Sequence, residues 1–197
     1  MRLQRELADF HSNPADRQIY FIETVDDNVF DLRGHLNGPP DSPYAGGTFR
    51  LEVKVPETYP FQPPKCKFIT RLWHPNVSSQ TGVICLDILK DKWAASLTIR
   101  TIMLSLQALL TSAEPDDPQD GMVARQYKEK PEMYKLTAAY WTYVFAIELK
   151  TPEMNEYFKN MNANVDALMA MVKCERGAAL SALSCNGWSL DEAKKYI

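Results

Sequence analysis

The run Phe49-Arg50-Leu51-Glu52-Val53-Lys54-Val55 gives the first indication of the fold of this chain. Its apolar side chains alternate with charged ones, which is the pattern of an antiparallel strand with one buried face and one exposed face. Three further runs rich in β-branched and aromatic residues lie near it, at 19–25, 29–36 and 66–70. Turn signals and proline- and glycine-rich segments separate these runs and end them sharply. We therefore predict a four-stranded antiparallel meander.

Helix signals lie on both sides of the strands. Leu3, Leu7 and Phe10 recur on one helix face, so a first helix is predicted to end before Asn13-Pro14. After the strands, Thr98 can cap a second helix, and Pro131 stands at the first position of another. The order of helix, four strands, long loop and helices predicts an α+β domain, which we assign to residues 1–150.

Residues 151–197 carry helical patterns only. We predict three short helices there, one ending near Met171, one over about 177–183 and one over 190–197. Such a unit would be a small three-helix bundle near the lower size limit for an independent core. The alternative is a plain helical extension that packs on the first domain.

Composition narrows the possible partners and compartments. A net charge of −3 gives no general attraction to nucleic acid. No apolar run reaches the roughly 18 residues of a membrane span, and residues 1–7 lack the apolar centre of a signal peptide. We therefore expect a protein of the cytoplasm and nucleus without a nucleic-acid or membrane partner. Its four cysteines show no zinc-ligand spacing, so free thiols and no metal site are expected.

The segment 72–96 shows no sustained periodicity and contains Cys85. Irregular segments of this length inside a compact domain are usually functional, and an exposed thiol in such a loop is accessible for reaction. The alternative is a small buried side chain packed by Ile84 and Leu86. A protease-like cysteine–histidine pair would need one of the three histidines, at 11, 35 or 74, to reach the sulfur. For His74 we expect instead a structural role, hydrogen-bonded to the backbone of the loop.

Several motifs occur together around this loop in a fixed order. They are Gly38-Pro39-Pro40-Asp41-Ser42-Pro43-Tyr44-x-Gly46-Gly47, Tyr59-Pro60-Phe61-x-Pro63-Pro64-Lys65, His74-Pro75-Asn76, Cys85-Leu86-Asp87-Ile88-Leu89, Trp93 and Asp116-Asp117-Pro118. In this order and spacing, residues 1–147 resemble the ubiquitin-conjugating enzyme family. The resemblance implies a transferase that accepts ubiquitin from the activating enzyme as a thioester on Cys85 and passes it to a lysine of a substrate or of ubiquitin. It implies no cofactor, because ATP is used by the activating enzyme upstream.

The resemblance also suggests roles around the nucleophile. Asp117 would orient the attacking lysine and help to remove its proton. Asp87 could assist, or it could be a solvated loop carboxylate. Asn76 could donate its amide N–H to the oxyanion of the tetrahedral intermediate, or it could organise the loop. These alternatives stay open on the sequence.

A partner surface is implied as well. Arg2 and Arg5 of the first helix, Phe61, and the run Trp93-Ala94-Ala95 would contact ubiquitin ligases, and the activating enzyme would use an overlapping surface. Trp93 alone could be a core residue, and the first helix lacks several residues usual in the family. Two alternative functions are a conjugating enzyme for another ubiquitin-like modifier and a non-catalytic binding module of the same fold.

The C-terminal unit resembles a ubiquitin-associated domain at Leu168-Met169-x-Met171, 178–183, Trp188, Leu190 and Ala193. This resemblance implies a known subfamily, in which such a unit follows the conjugating domain. Ubiquitin-associated domains bind ubiquitin through a Met-Gly-Phe loop, and here the corresponding positions read Met171-Val172-Lys173. A β-branched valine does not easily adopt φ > 0, and Lys173 places a charge where an apolar contact is expected. We therefore expect residues 152–197 to bind ubiquitin poorly and their deletion to spare loading of Cys85.

Overall fold

The computed structural model describes residues 2–197, with every side chain except that of His11. Its centre is a four-stranded antiparallel sheet in the order β1-β2-β3-β4, which confirms the predicted meander. The strands are β1 (Tyr20–Val25), β2 (Asn28–Asn37), β3 (Thr48–Lys54) and β4 (Lys65–Phe68). The register of β3 sets Leu51 opposite Gly34 on β2 and Phe68 on β4.

The alternation in β3 works as its sequence predicts. Phe49, Leu51 and Val53 are fully buried, while Arg50 and Lys54 on the other face are exposed. Burial of each apolar side chain of this size stabilises the fold by about 1.5–3 kcal/mol. A slip of one residue would exchange the two faces, so the buried side chains fix the register of the strand.

Four helices complete the α+β part of the chain: α1 (Arg2–Ser12), α2 (Ile99–Leu109), α3 (Gly121–Glu129) and α4 (Pro131–Phe145). The Thr98 side chain caps α2 by accepting the backbone N–H of Thr101. The sequence did not predict α3, which begins at an Asp120 side chain that accepts the backbone N–H of Val123.

The C-terminal part holds the three predicted helices and one more. They are α5 (Pro152–Tyr157), α6 (Lys159–Val172), α7 (Arg176–Cys185) and α8 (Leu190–Tyr196). The extra helix is α5, which Thr151 caps and Pro152 begins. It is separate from α6 because Phe158 leaves helical geometry, with φ −95° and ψ 10°.

These helices pack on α4 within the same apolar cluster that contains the sheet. Trp141 of α4 donates its indole N–H to the hydroxyl of Ser184 on α7, at 2.9 Å. Trp188 donates its indole N–H to Thr137 of α4, also at 2.9 Å. Two hydrogen bonds from indole groups therefore fix the C-terminal helices on the first part of the chain.

The turn after α6 corrects one detail of the sequence interpretation. The left-handed residue is Lys173, with φ 55° and ψ 41°, whereas Val172 is still helical. The left-handed conformation costs an unbranched lysine less than a β-branched valine, so the helix extends past Val172 and turns one residue later. The residue after this turn, where an apolar contact is expected, is the half-buried Cys174.

Candidate active site

His74 anchors the loop that leads to the cysteine. It is fully buried, and its Nε2–H donates to the carbonyl of Leu109 at 2.8 Å while Nδ1 accepts the N–H of Asn76 at 3.0 Å. Burial lowers the pKa of this imidazole to about 4. Because both ring nitrogens are engaged with the backbone, the structure supports a structural role for His74 and not a role as a base for Cys85.

Asn76 connects this loop to the segment that carries Asp117. Its Nδ2 group donates to the carbonyl of Glu114 at 2.9 Å and to that of Asp117 at 3.0 Å. Its Oδ1 accepts the backbone N–H of Glu114 at 2.8 Å. Both amide hydrogens are therefore used inside the protein, which favours the loop-organising interpretation over the oxyanion donor.

Cys85 lies beside Asn76 and is buried, with 8% of its surface exposed, so the exposed thiol expected from its loop is not observed. Its backbone N–H donates to the carbonyl of Asn76 at 2.8 Å. Two charged side chains face the sulfur. Lys90 Nζ donates a hydrogen bond to Sγ at 3.0 Å, and Asp117 Oδ2 accepts one from Sγ at 3.6 Å. The hydrogen bond with Cys85 is the largest cause of the raised pKa of Lys90.

Two of the remaining cysteines lie in less reactive surroundings. Burial raises the pKa of Cys66 to about 12 and that of Cys185 to about 11. A thiol with so high a pKa is almost entirely protonated at neutral pH and is a poor nucleophile. Cys85 differs from these two in having an ammonium group at hydrogen-bond distance from its sulfur.

The two candidate carboxylates have different surroundings. Asp117 is exposed, its backbone is held by Asn76, and its carboxylate faces the sulfur. Asp87 instead forms a 2.7 Å ion pair with Lys92 and accepts the N–H of Ile88. The hydrogen bond from Lys92 is the main cause of the lowered pKa of Asp87. These contacts favour the solvated loop carboxylate for Asp87 and leave Asp117 as the carboxylate at the sulfur.

Several residues of the predicted partner surface lie close together. The Phe61 side chain is 81% exposed, and the half-buried Trp93 donates its indole N–H to the carbonyl of Pro60 at 2.8 Å. Ala94 and Ala95 are exposed beside it. Trp93 is thus not a fully buried core residue. Its indole hydrogen bond holds the loop that presents Phe61.

The basic residues of α1 divide between two roles. Arg2 donates to the carbonyls of Ala95 and Leu97 and forms an ion pair with Glu6. Arg5 is exposed. The Arg2 guanidinium therefore ties α1 to the run that follows Trp93, while Arg5 faces solvent.

Lys90 is the site residue that sequence reasoning missed. It lies five positions after Cys85, on the far side of a single 3-10 turn at Asp87–Leu89. That turn reverses the chain so that the lysine returns over the sulfur. The sequence signal that could have indicated Lys90 is a lysine five positions after the candidate nucleophile.

Residues 2–197, the part of the chain that the structure describes, also bear on a metal site and a membrane span. Within that range no group of three or more His, Cys, Asp or Glu side chains could hold a metal ion. Over the same range, no helix combines the length and apolar character that crossing a bilayer would require.

Comparisons with known proteins fix the class. Residues 2–142 match the ubiquitin-conjugating enzyme family. The chain is 48% identical to ubiquitin-conjugating enzyme E2 K of Homo sapiens over 198 residues, covering 100% of this chain and 95% of that protein. It is 53% identical to ubiquitin-conjugating enzyme E2-22 kDa of Drosophila melanogaster over 176 residues, covering 89% of this chain and 85% of that protein.

A solved structure shares the fold. The E2 domain of a Toxoplasma gondii ubiquitin conjugating enzyme superposes with a TM-score of 0.69 at 46% identity, covering 74% of this chain and 97% of that chain. The chain belongs to the ubiquitin-conjugating enzyme family, whose members are transferases that form thioester intermediates. The match to E2 K runs through the C-terminal helices, which supports the subfamily with a ubiquitin-associated domain. The two alternative functions are not favoured.

Proposed function

We propose that Cys85 accepts ubiquitin from the activating enzyme as a thioester and transfers it to a lysine amine. The observation that carries this proposal is the pair of charges at the sulfur, Lys90 Nζ at 3.0 Å and Asp117 Oδ2 at 3.6 Å. The sulfur that would attack the incoming thioester therefore lies between a hydrogen-bond donor and a carboxylate. No resident base is required, because the incoming carbonyl is already activated by its bond to sulfur.

Transfer follows from the same geometry. The amine of the acceptor lysine attacks the thioester carbon, the C–N bond forms and the C–S bond breaks, so that Cys85 leaves as a thiolate. Asp117 is placed to orient the incoming ammonium group and to accept its proton. The role of Asn76 in this step is to hold the 114–117 segment, and therefore Asp117, against the cysteine loop.

The partner surface serves both loading and transfer. Phe61, Trp93-Ala94-Ala95 and Arg5 would contact a ubiquitin ligase, with Arg2 as the residue that fixes α1 beneath them. An exposed aromatic side chain on a proline-rich turn is a typical anchor for a protein partner. Because the activating enzyme would use an overlapping surface, loading and ligase binding would alternate. The protein would act in the cytoplasm and nucleus.

For the C-terminal unit we propose weak ubiquitin binding. Its turn after α6 presents the charged Lys173 and the small Cys174 instead of glycine and an aromatic residue. Loss of one buried aromatic contact removes about 1.5–3 kcal/mol, which weakens an already modest affinity. The unit would then serve chiefly through its packing on α4.

A loading assay tests the assignment of Cys85. The full chain is incubated with activating enzyme, ATP and ubiquitin and is analysed on gels with and without thiol. Cys85→Ser should give an adduct that is stable to thiol and sensitive to hydroxide, because an alkoxide leaves less readily than a thiolate. Cys66→Ser is the matched control and should load normally. A thiol-sensitive adduct on Cys85→Ala would show that another residue is loaded.

A further inference from the structure

Glu6 places a carboxylate on the buried face of α1. It lies three positions after Leu3 and four before Phe10, so it shares the stripe of that helix that packs on the core. Only 11% of its side chain is exposed. A carboxylate with so little access to water must be compensated by hydrogen bonds or by positive charge. The partners of Glu6 therefore show what this charge holds together.

Three segments of the chain donate to this carboxylate. The hydroxyl of Tyr59 lies 2.8 and 2.9 Å from its two oxygens, the backbone N–H of Ile99 donates to Oε2 at 2.8 Å, and Arg2 Nε donates to Oε1 at 2.7 Å. Ile99 begins α2, and the N-terminus of a helix favours a negative charge. Burial, followed by the hydrogen bond with Glu6, raises the pKa of Tyr59, so this phenol stays a donor at neutral pH.

Two of these donors lead to the two loops of the partner surface. Tyr59 lies two positions before Phe61, and its ring lies 6.0 Å, centroid to centroid, from the indole at the start of the run 93–97. Arg2 donates to two backbone carbonyls of that same run. The turn that presents Phe61 and the run 93–97 are therefore both tied to Glu6, one through a phenol and the other through a guanidinium.

From these contacts we infer that Glu6 is a positioning residue of the partner surface, which fixes the Phe61 turn relative to the run 93–97 and thereby strengthens binding of the activating enzyme. The inference rests on the proposed function, because it needs this surface to be used in loading Cys85. A partner that contacts both segments at once binds more weakly when their relative position must first be ordered. The mostly buried carboxylate acts through the groups that it holds.

The chemistry at the sulfur should not depend on Glu6. Among residues 2–197, the hydrogen bonds of its side chain go to the three donors above, and none goes to Cys85 or Asp117. Loss of Glu6 should therefore raise the KM of loading and leave the discharge of loaded enzyme onto free lysine unchanged. A residue that only stabilised the fold would not separate these two quantities.

Two variants weaken this arrangement by small changes. Glu6→Gln replaces one acceptor oxygen by an NH2 group, so that one of the three donors faces another donor. Tyr59→Phe removes only the phenol hydroxyl and keeps the ring. Asp16→Asn is the matched control. Asp16 is also a buried carboxylate with an arginine partner, but its hydrogen bonds come from Arg100 and Tyr20, which lie outside both loops.

The test uses the full chain with activating enzyme, ATP and ubiquitin. Initial rates of formation of the thiol-sensitive adduct, at increasing concentrations of the chain, give kcat and KM for loading. Chains that have been loaded to completion are then freed of ATP and discharged onto free lysine. Thermal unfolding gives the Tm of each variant, and the NMR signal of the Trp93 indole N–H reports its bond to Pro60.

We expect Glu6→Gln to raise the KM of loading about tenfold, the factor that corresponds to about 1.4 kcal/mol. Its kcat for loading and its discharge onto lysine should stay unchanged. Tyr59→Phe should raise KM by a smaller factor, because the bonds from Arg2 and Ile99 remain, and the Trp93 indole signal should shift in both variants. Asp16→Asn should lower the Tm and leave KM unchanged.

An unchanged KM in Glu6→Gln, or in Tyr59→Phe if Glu6→Gln does not fold, would overturn the inference. So would a KM that rises equally in Asp16→Asn at a similar Tm, since general destabilisation would then explain the effect. A discharge rate that falls by the same factor as kcat/KM for loading would also overturn it, because Glu6 would then act on the whole enzyme. Absence of any thiol-sensitive band in the wild type would instead refute the proposed function.

Discussion

Replacement of Asn76 by alanine separates two roles that the same residue could have in transfer. The substitution removes three hydrogen bonds, two donated to the carbonyls of Glu114 and Asp117 and one accepted from the N–H of Glu114. At about 1 kcal/mol each, their loss lowers the free energy of unfolding by about 3 kcal/mol. For a chain of this size that is a decrease in Tm of about 6–12 °C.

The assay combines stability, local dynamics and transfer. Thermal unfolding gives the change in Tm, hydrogen exchange at the Glu114 amide reports the bond to Asn76, and discharge of loaded enzyme onto free lysine gives the chemical step. We expect all three to change together in Asn76→Ala, because Asp117 loses its anchor. Asn76→Asp should be less stable than Asn76→Ala near neutral pH, since a carboxylate oxygen would then face two carbonyl oxygens without a proton between them.

The refuting result is a clean separation of these readouts. If Asn76→Ala keeps its Tm within about 1 °C and keeps protection at Glu114, the side chain does not organise the loop. A discharge rate that nevertheless falls by about 10²–10³-fold would identify Asn76 as an oxyanion donor. In that case Asn76 would have to release one of its two internal acceptors during the reaction.

Three further predictions concern other parts of the chain. Asp117→Ala should load nearly normally yet discharge slowly onto free lysine, and an equal loss of both rates would contradict its role at the attacking amine. The ring of His74 should stay neutral in NMR titrations until the pH nears about 4. Because this folded pKa lies below the unfolded value of about 6.5, the contribution of His74 to stability is lost as the pH falls between the two values. The loss is at most about 1.4 kcal/mol per pH unit. A ring that titrates near 6.5 in the folded protein would exclude this. In the full chain carrying Cys85→Ala, the C-terminal helices should show only millimolar affinity for labelled ubiquitin, and saturation at tens of micromolar with shifts on ubiquitin's apolar patch would refute the argument from Lys173 and Cys174.

The sheet could be predicted because its signal is local. Alternation with a period of two in β3 depends only on neighbours along the chain, and the same side chains are buried in the structure. Helix α3 was missed because its amphipathic pattern is short and its capping residue, Asp120, lies in a loop. Helix α5 was missed for a similar reason, since six residues carry too little periodicity to distinguish a helix from a turn.

The site was predictable only in part. Motif order pointed to Cys85, Asn76 and Asp117, and the structure brings these three together. Motif order could not reveal which hydrogen bonds Asn76 forms, because its partners are 38 and 41 positions away in the sequence. Lys90 shows a different limit: its position relative to the sulfur depends on the turn at Asp87–Leu89, and spacing alone does not give a side-chain direction.

Chemistry and stability are distributed differently along this chain. The side chains that face or position the sulfur all precede residue 151, so the reaction at Cys85 depends on the first domain. The stability of the first domain depends in addition on the C-terminal helices. Gln126 accepts the indole N–H of Trp73 and donates to the carbonyl of Ser184. Trp141 donates its indole N–H to the Ser184 hydroxyl. Removal of residues 152–197 would take away the hydrogen-bond partners of Gln126 and Trp141 and expose the apolar face of α4 to water. The C-terminal helices therefore stabilise the enzyme whether or not they bind ubiquitin.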